Sequence, residues 1–282
     1  MEGRIRAVPG WLCRAMLALL LALLGAALAV GVSQGPEYGR ALVLGVVMAA
    51  LCRTALPPLS RRLAGLGAVG SWLLLTLLCL AVKGTWIALV RVPPAGDYQV
   101  YWGYAQALAQ REVVYGGRYM ALFPHLFGYA AFLSVFVRLL GARLWLAPVL
   151  NVALSAASAS LLYLLARRWR GGPAAVSVCL LWILCPSQTI YNSMILSEPL
   201  YTTLLLGVLL LSAEAERRSW RPGRAALAGG GAGVLLRLLN GVRPIAAVPM
   251  LALVIWRFLL SPGELGRRRT RRCWLPWRRR TC

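Results

Sequence analysis

Few residues in this sequence can carry chemistry. It has eight acids, and six of them read as ordinary charges: Glu2 at the terminus, Glu37 in a short loop, Glu112 in a polar stretch, Glu214 and Glu216 beside arginines, and Glu264 in the tail. Asp97 and Glu198 remain. Asp97, the one aspartate, follows an apolar run within Gly96-Asp97-Tyr98-Gln99-Val100-Tyr101-Trp102, and Glu198 stands in Ser197-Glu198-Pro199 between two apolar runs. An acid at membrane depth is costly and is by default a functional candidate, and two acids facing one cavity could position a metal or activate a hydroxyl. Each also has a structural reading. Asp97 can cap a helix over 98–110, and Glu198 can be a first-turn charge beside a proline at the helix start.

The cations come next. Arg118, His125, Arg237 and Arg243 fall toward the same face as the two acids, and an anionic ligand such as a lipid-linked phosphate needs such partners. Arg243 lies in Gly241-Val242-Arg243-Pro244, where the proline forbids an ordinary continuous helix, so its guanidinium is expected at the membrane surface. The lone His125 reads first as a packed side chain. Lys83, the one lysine, lies well inside the third apolar run and is expected to snorkel outward. The seven cysteines are scattered, with no CxxC and no zinc spacing, and read as small core hydrophobes.

These residues must be positioned by elements made for lipid. Hydrophobic residues make up 60% of the 282 and charged ones 14%, against about 25% charged in a soluble domain, so the chain reads as an integral membrane protein. Apolar runs at about 11–32, 41–56, 71–92, 119–140, 145–166, 174–193, 196–213, 225–240 and 244–260 predict an all-α polytopic bundle of eight or nine helices, because only helices or closed barrels satisfy the backbone in hydrocarbon. Arg4 and Arg6 precede the first run in the manner of a signal sequence. That run is long enough to span and lacks a clear small-residue cleavage site, so a retained anchor is expected.

The formal charge of +23 comes almost wholly from arginine, in short clusters between apolar runs. That is the pattern of cytoplasmic loops, and it argues against nucleic-acid binding. Arg4, Arg6, Arg61, Arg62, the 167–170 cluster and the 217–224 cluster are assigned to the cytoplasm, and the long connector 93–118 to the outside. If both 119–140 and 145–166 crossed, the 167–170 cluster would fall outside. The segment 119–140 is therefore expected to lie in the outer interface or to re-enter without crossing. The domain reading is a membrane domain over 1–260 and a basic tail over 261–282, where eight arginines fall between Arg267 and Cys282. Such a tail suits anionic headgroups, or else reflects a shifted reading frame.

Taken together, Gly96-Asp97-Tyr98 to Tyr101-Trp102, Tyr119 to Phe123-Pro124, Ser193 to Ser197-Glu198-Pro199-Leu200-Tyr201, and Gly233 to Arg243-Pro244 resemble the membrane glycosyltransferases of the C-type fold. The nearest group is the protein O-mannosyltransferase-like superfamily, over about 71–260. The resemblance implies transfer of a mannose-like hexose or related sugar from a polyprenyl-phosphate carrier to a protein or glycan acceptor on the outer face. It implies Asp97 as catalytic acid/base, Glu198 as a second acid at the cavity and Arg243 at the carrier phosphate. Tyr101, Trp102, Arg118, His125 and Arg237 are the further substrate-contact candidates. The use of a divalent metal stays open. Family members continue beyond the point where the pattern stops near 260, so a C-terminally truncated copy is expected. The competing expectation is a multi-pass transporter or flippase-like protein, with Asp97 and Glu198 in a translocation path, or else an inactive membrane fragment. Transporters tend to carry two related halves or broken helices, and no internal repeat is evident.

Overall fold

The computed structural model describes residues 10–113, 122–123, 125–215 and 222–255, and among them every regular element is helical. In chain order these are α1 Gly10–Gln34, α2 Pro36–Ala64, α3 Gly67–Leu89, α4 Asp97–Gln110, α5 His125–Leu140, α6 Leu146–Arg170, α7 Gly172–Leu184, α8 Pro186–Ile190, a 3-10 turn Tyr191–Ser193, α9 Glu198–Ala215, α10 Pro222–Val242 and α11 Ala247–Ile255. Among the described residues, five helical stretches are long and apolar enough to cross a membrane: Leu42–Ala64, Gly67–Leu89, Leu146–Arg170, Glu198–Ala215 and Gly223–Val242. The pair Gly172–Leu184 and Pro186–Ser193 makes a sixth if it counts as one span bent by 58°. Arg118 and the tail 261–282 lie outside the described residues.

The contacts divide the chain into two units, Met1–Ala50 with Val248–Cys282, and Leu51–Ala247. In the first, α1 and the opening of α2 are helices whose apolar side chains, Leu19, Leu23, Val43 and Val47 among them, are exposed as a lipid-facing surface requires. All of the site chemistry lies in the second unit.

Proline decides two departures from the apolar pattern. The gap between the apolar runs 41–56 and 71–92 is mostly helix: α2 continues through Pro57 and Pro58 to Ala64 and carries Arg61 and Arg62 in its last turn. The Ser60 hydroxyl donates to the Pro57 carbonyl at 3.0 Å, part of the local repair that lets a membrane helix tolerate proline. The run 174–193, by contrast, is interrupted. Cys185 leaves helical geometry at ψ 112, as the residue before a proline prefers, and Pro186 restarts the chain in a new direction.

Polar contacts inside the bundle fix the helix directions. Tyr163 donates to the Ala68 carbonyl at 2.9 Å and Trp72 Nε1 to Ser160 Oγ at 3.0 Å, so α3 and α6 are antiparallel. Cys179 and Trp182 donate to the carbonyls of Ala159 and Ser155, which sets α7 antiparallel to α6. Ser158 meets Thr203 at 2.9 Å and Arg168 meets Glu214 at 2.6 Å, so α9 runs parallel to α6. A Cβ built on Gly207 would lie 2.9 Å from Leu235 and one on Gly231 3.1 Å from Leu211, which makes α10 antiparallel to α9.

Two consequences follow. Because α6 and α9 are parallel, the bent pair must travel back along the bundle between them, as one broken traverse. Because α3 and α6 are antiparallel, the stretch 90–145 begins and ends at the same end of the bundle. Within that stretch α5 has 16 residues, about 24 Å of helix against a hydrocarbon core of about 30 Å. The ends of α3 and α10 and the starts of α6 and α9 gather at this end, and Arg61, Arg62, Arg167, Arg168 and Arg170 at the opposite one.

Two apolar clusters hold the unit together. One packs Leu75 and Cys79 of α3 against Ala156, Ala159 and Tyr163 of α6 and Val176, Cys179 and Ile183 of α7. The other lies at the far end and joins Tyr101, Trp102 and Ala105 of α4 to Tyr129, Leu133 and Val137 of α5, with Leu146, Ile195, Leu200 and Val242. Small residues permit the close approaches. A Cβ at Gly128 would collide with the Gly241 carbonyl and come within 2.8 Å of the Val242 amide, so α5 and α10 touch backbone to backbone. Cys79 and Cys179 are core residues as expected, whereas Cys52 and Cys185 are only half-buried.

Candidate functional site

Asp97 opens α4. Gly96, at φ 55, makes the turn into the helix, and no side chain caps it, so Asp97 is the first helical residue and not the cap the sequence suggested. Its carboxylate is exposed. Being acidic at a helix N-terminus, it sits favourably against the macrodipole while remaining open to a ligand. The far end of α4 closes on Arg111 in the left-handed region, where the Glu112 amide donates to the Ala107 carbonyl at 2.9 Å.

Glu198 opens α9 as a first-turn acid, and the structure gives it a partner 45 residues away. Arg243 Nη2 donates to Glu198 Oε1, and Arg243 Nε donates to Ser197 Oγ at 3.3 Å. Arg243 follows the last turn of α10, its amide still bonded to Leu239 at 2.9 Å before the chain turns at Pro244. One fork of the guanidinium is thus spent on the Ser197-Glu198 corner. Its Nη1 end makes no hydrogen bond among the described residues. The second carboxylate oxygen of Glu198, Oε2, is buried without a partner among the described residues, and so is Asn192 Oδ1 in the neighbouring turn. Buried acceptors of this kind are usually satisfied, so each is suited to a donor brought by a ligand or by water.

Tyr101 ties these groups together. Burial pushes its hydroxyl above the ordinary tyrosine range, the nearby Ser197 hydroxyl and the Arg243 charge oppose that, and the Glu198 and Asp97 carboxylates reinforce it. Both acids and Arg243 therefore lie within electrostatic reach of a single phenol. Behind it, the Tyr101 ring meets Tyr129 edge-on with centroids 5.1 Å apart. The fully buried Tyr129 donates to Asn151 Oδ1 at 3.4 Å, Asn151 donates to the Met194 carbonyl at 2.7 Å, and Tyr98 reaches the Met194 sulfur at 3.4 Å. This relay braces the 191–198 segment against α4, α5 and α6. A tyrosine and an asparagine inside separate apolar runs carry no local signal that they face each other.

The remaining candidates are dispersed. Trp102 is packed in the apolar cluster. Arg237 is exposed on α10, its Nη1 3.9 Å from the position of a Cβ on Gly241. His125 is the first residue of α5. A groove of about 390 Å³ runs along another side of α4, lined by Gln99, Gly103, Ala107, Glu112 and Val113, and includes neither Asp97 nor Glu198. The chemistry, not the groove, marks the site. Among the described residues no group of three His, Cys, Asp or Glu side chains could hold a metal ion.

The class this defines is an all-helical protein whose apolar helices are long enough for a multi-pass membrane protein, with a polar corner at one end of its bundle. Compared with family models, with curated proteins and with solved structures, the chain gives no match in any of the three.

Proposed function

We propose that this chain is a membrane-embedded glycosyltransferase of the C-type fold, moving a mannose-like hexose or related sugar from a polyprenyl-phosphate carrier to a protein or glycan acceptor on the outer face. The observation that carries the reading is the Glu198-Arg243 pair, joined across 45 residues at the bundle end where Asp97 opens α4 and opposite the arginine-rich helix ends. By the positive-inside rule the arginine end is cytoplasmic, and the acids then face outside.

In this reaction the acceptor hydroxyl attacks the anomeric carbon as the bond from that carbon to the phosphate oxygen breaks. Asp97 takes the hydroxyl proton, and the carrier phosphate leaves with the bonding electron pair. Phosphate is already a good leaving group, so it needs cations more than an acid, and the Nη1 end of Arg243 supplies one. The Glu198 Oε2 oxygen is placed to accept a hydrogen bond from a sugar or acceptor hydroxyl. Incubating the protein in nanodiscs with a radiolabelled polyprenyl-phosphate hexose and a peptide or glycan acceptor tests this. Transfer by wild type and none by Asp97→Asn at equal abundance supports the reading, and near-normal turnover by the variant removes Asp97 from the mechanism.

A second reading, a transporter or flippase-like protein, is favoured by one observation, the broken traverse at Cys185-Pro186 beside the buried Lys83. Interrupted spans are a mark of transporter binding sites. Uptake of a lipid-linked sugar across proteoliposomes without any glycosyl transfer would favour it.

A further inference from the structure

The expectation that Lys83 snorkels to the surface is not met. It is fully buried in α3, its Nζ 3.3 Å from Thr189 Oγ1 and 5.9 Å from the centre of the Trp182 ring. Lys83 lies six residues, about 9 Å, before the end of its helix. The side chains facing it come from the two halves of the broken traverse, Trp182 from the last turn of α7 and Thr189 from α8. Cys79 and Cys185 are the titratable neighbours. Among the described residues no carboxylate pairs with it.

An ammonium has three donors and a full charge. Among the described residues one donor is used, at a long distance, and the charge is met by an aromatic face. A cation withdrawn from water at membrane depth is costly unless a counter-charge meets it, and among the described residues this chain supplies none. The break beside it is accessible: Leu184, Pro186 and Ser187 are exposed, and Cys185 and Thr189 are half-buried. Around the break the surface is apolar, with Leu80, Val82 and Leu181 exposed. A free ion arriving there would shed its water without recompense, whereas the headgroup of an amphiphile arrives with its tail already in the lipid.

We propose that Lys83 and Thr189 form a site for the anionic headgroup of a membrane amphiphile, a phosphate ester in the first instance, entered from the lipid at the Cys185-Pro186 break. The site is separate from the Asp97 corner and does not depend on sugar transfer.

Because Lys83 is the chain's one lysine, amine acylation reports on it without ambiguity once peptides are mapped. The protein in detergent is treated with a membrane-permeant activated ester, alone, with dodecyl phosphate and with inorganic phosphate. Dodecyl phosphate is expected to slow acylation of Lys83 at least tenfold and to leave the N-terminal amine unaffected, while inorganic phosphate does little. Measured in an Arg243→Ala background, so that the donor-phosphate corner does not contribute, direct binding of labelled dodecyl phosphate should fall at least tenfold on adding Lys83→Met, by a smaller factor on adding Thr189→Val, and not at all on adding Asp97→Asn. No protection by dodecyl phosphate, or equal binding by Lys83→Met, overturns the site. Equal protection by inorganic phosphate overturns the lipid source. Loss of sugar transfer in Asp97→Asn with binding retained separates this site from the proposed activity.

Discussion

Glu198→Gln gives the most informative test of the polar corner, because the two roles open to Glu198 predict opposite signs. In the structure Arg243 offers one fork to Ser197 and Glu198 and has its Nη1 end free of hydrogen bonds among the described residues. A donor phosphate taken by that end sits roughly 6 Å from the Glu198 carboxylate, the width of a guanidinium plus two charge-assisted hydrogen bonds. Two negative charges at that distance repel by roughly 0.7–3 kcal/mol for effective dielectrics between bulk water and a protein surface. The pair is about a third exposed, side chains at 37% for Arg243 and 29% for Glu198, which argues for the lower part of that range. Glu198→Gln should therefore tighten donor binding by about 1 kcal/mol, roughly fivefold. Arg243→Ala should weaken it by about 1.5–3 kcal/mol, a loss of one charged hydrogen-bonding site, and Arg243→Lys should recover only part. Equilibrium binding of a radiolabelled polyprenyl-phosphate hexose in nanodiscs, at low and physiological salt, measures all three. Weakening by Glu198→Gln as large as that by Arg243→Ala would mean that the carboxylate positions the guanidinium instead of competing with the phosphate. Equal affinities throughout would remove Arg243 from donor binding.

Three further outcomes are open to direct measurement. Gly128→Ala, whose Cβ would meet the Gly241 carbonyl and the Val242 amide, should cost about 1–3 kcal/mol in thermal or denaturant unfolding, and a neutral result would contradict the backbone contact. Tyr129→Phe leaves Asn151 Oδ1 without its donor inside the core and should cost about 1–2 kcal/mol, whereas Tyr98→Phe, with only a sulfur acceptor, should cost less. For orientation, single cysteines at Gln99 and Arg170 in a cysteine-free background should be labelled from opposite sides of sealed vesicles, and labelling from one side would refute the assignment of the two bundle ends.

The sequence carried the helical class and the locations of the apolar segments, since lipid leaves the backbone one local solution and composition alone announces it. It also isolated Asp97, Glu198 and Arg243, because charges beside apolar runs are rare enough to stand out. What it could not carry was partnership. Arg243 and Glu198 are 45 residues apart, and only the antiparallel seating of α10 on α9 brings them together. Lys83 was misread for a related reason. Snorkelling is a rule for an isolated helix in lipid, and Trp182 and Thr189 come from a different part of the chain. The prolines were visible, yet their effects diverged: Pro57 and Pro58 lie within a helix that absorbs them, while Pro186 stands where α7 can end and α8 begin.

The contact between Gly128 and Gly241 bears on how the polar corner is kept in place. Two side chains in contact can trade rotamers and take up a displacement of an ångström without passing it on, but two bare backbones cannot. Arg243 comes two residues after Gly241, so the short helix α5 acts as a fixed stop for the guanidinium. A displacement of α5 against α10 would therefore move the Gly241–Arg243 backbone with it instead of being taken up by side-chain rotamers.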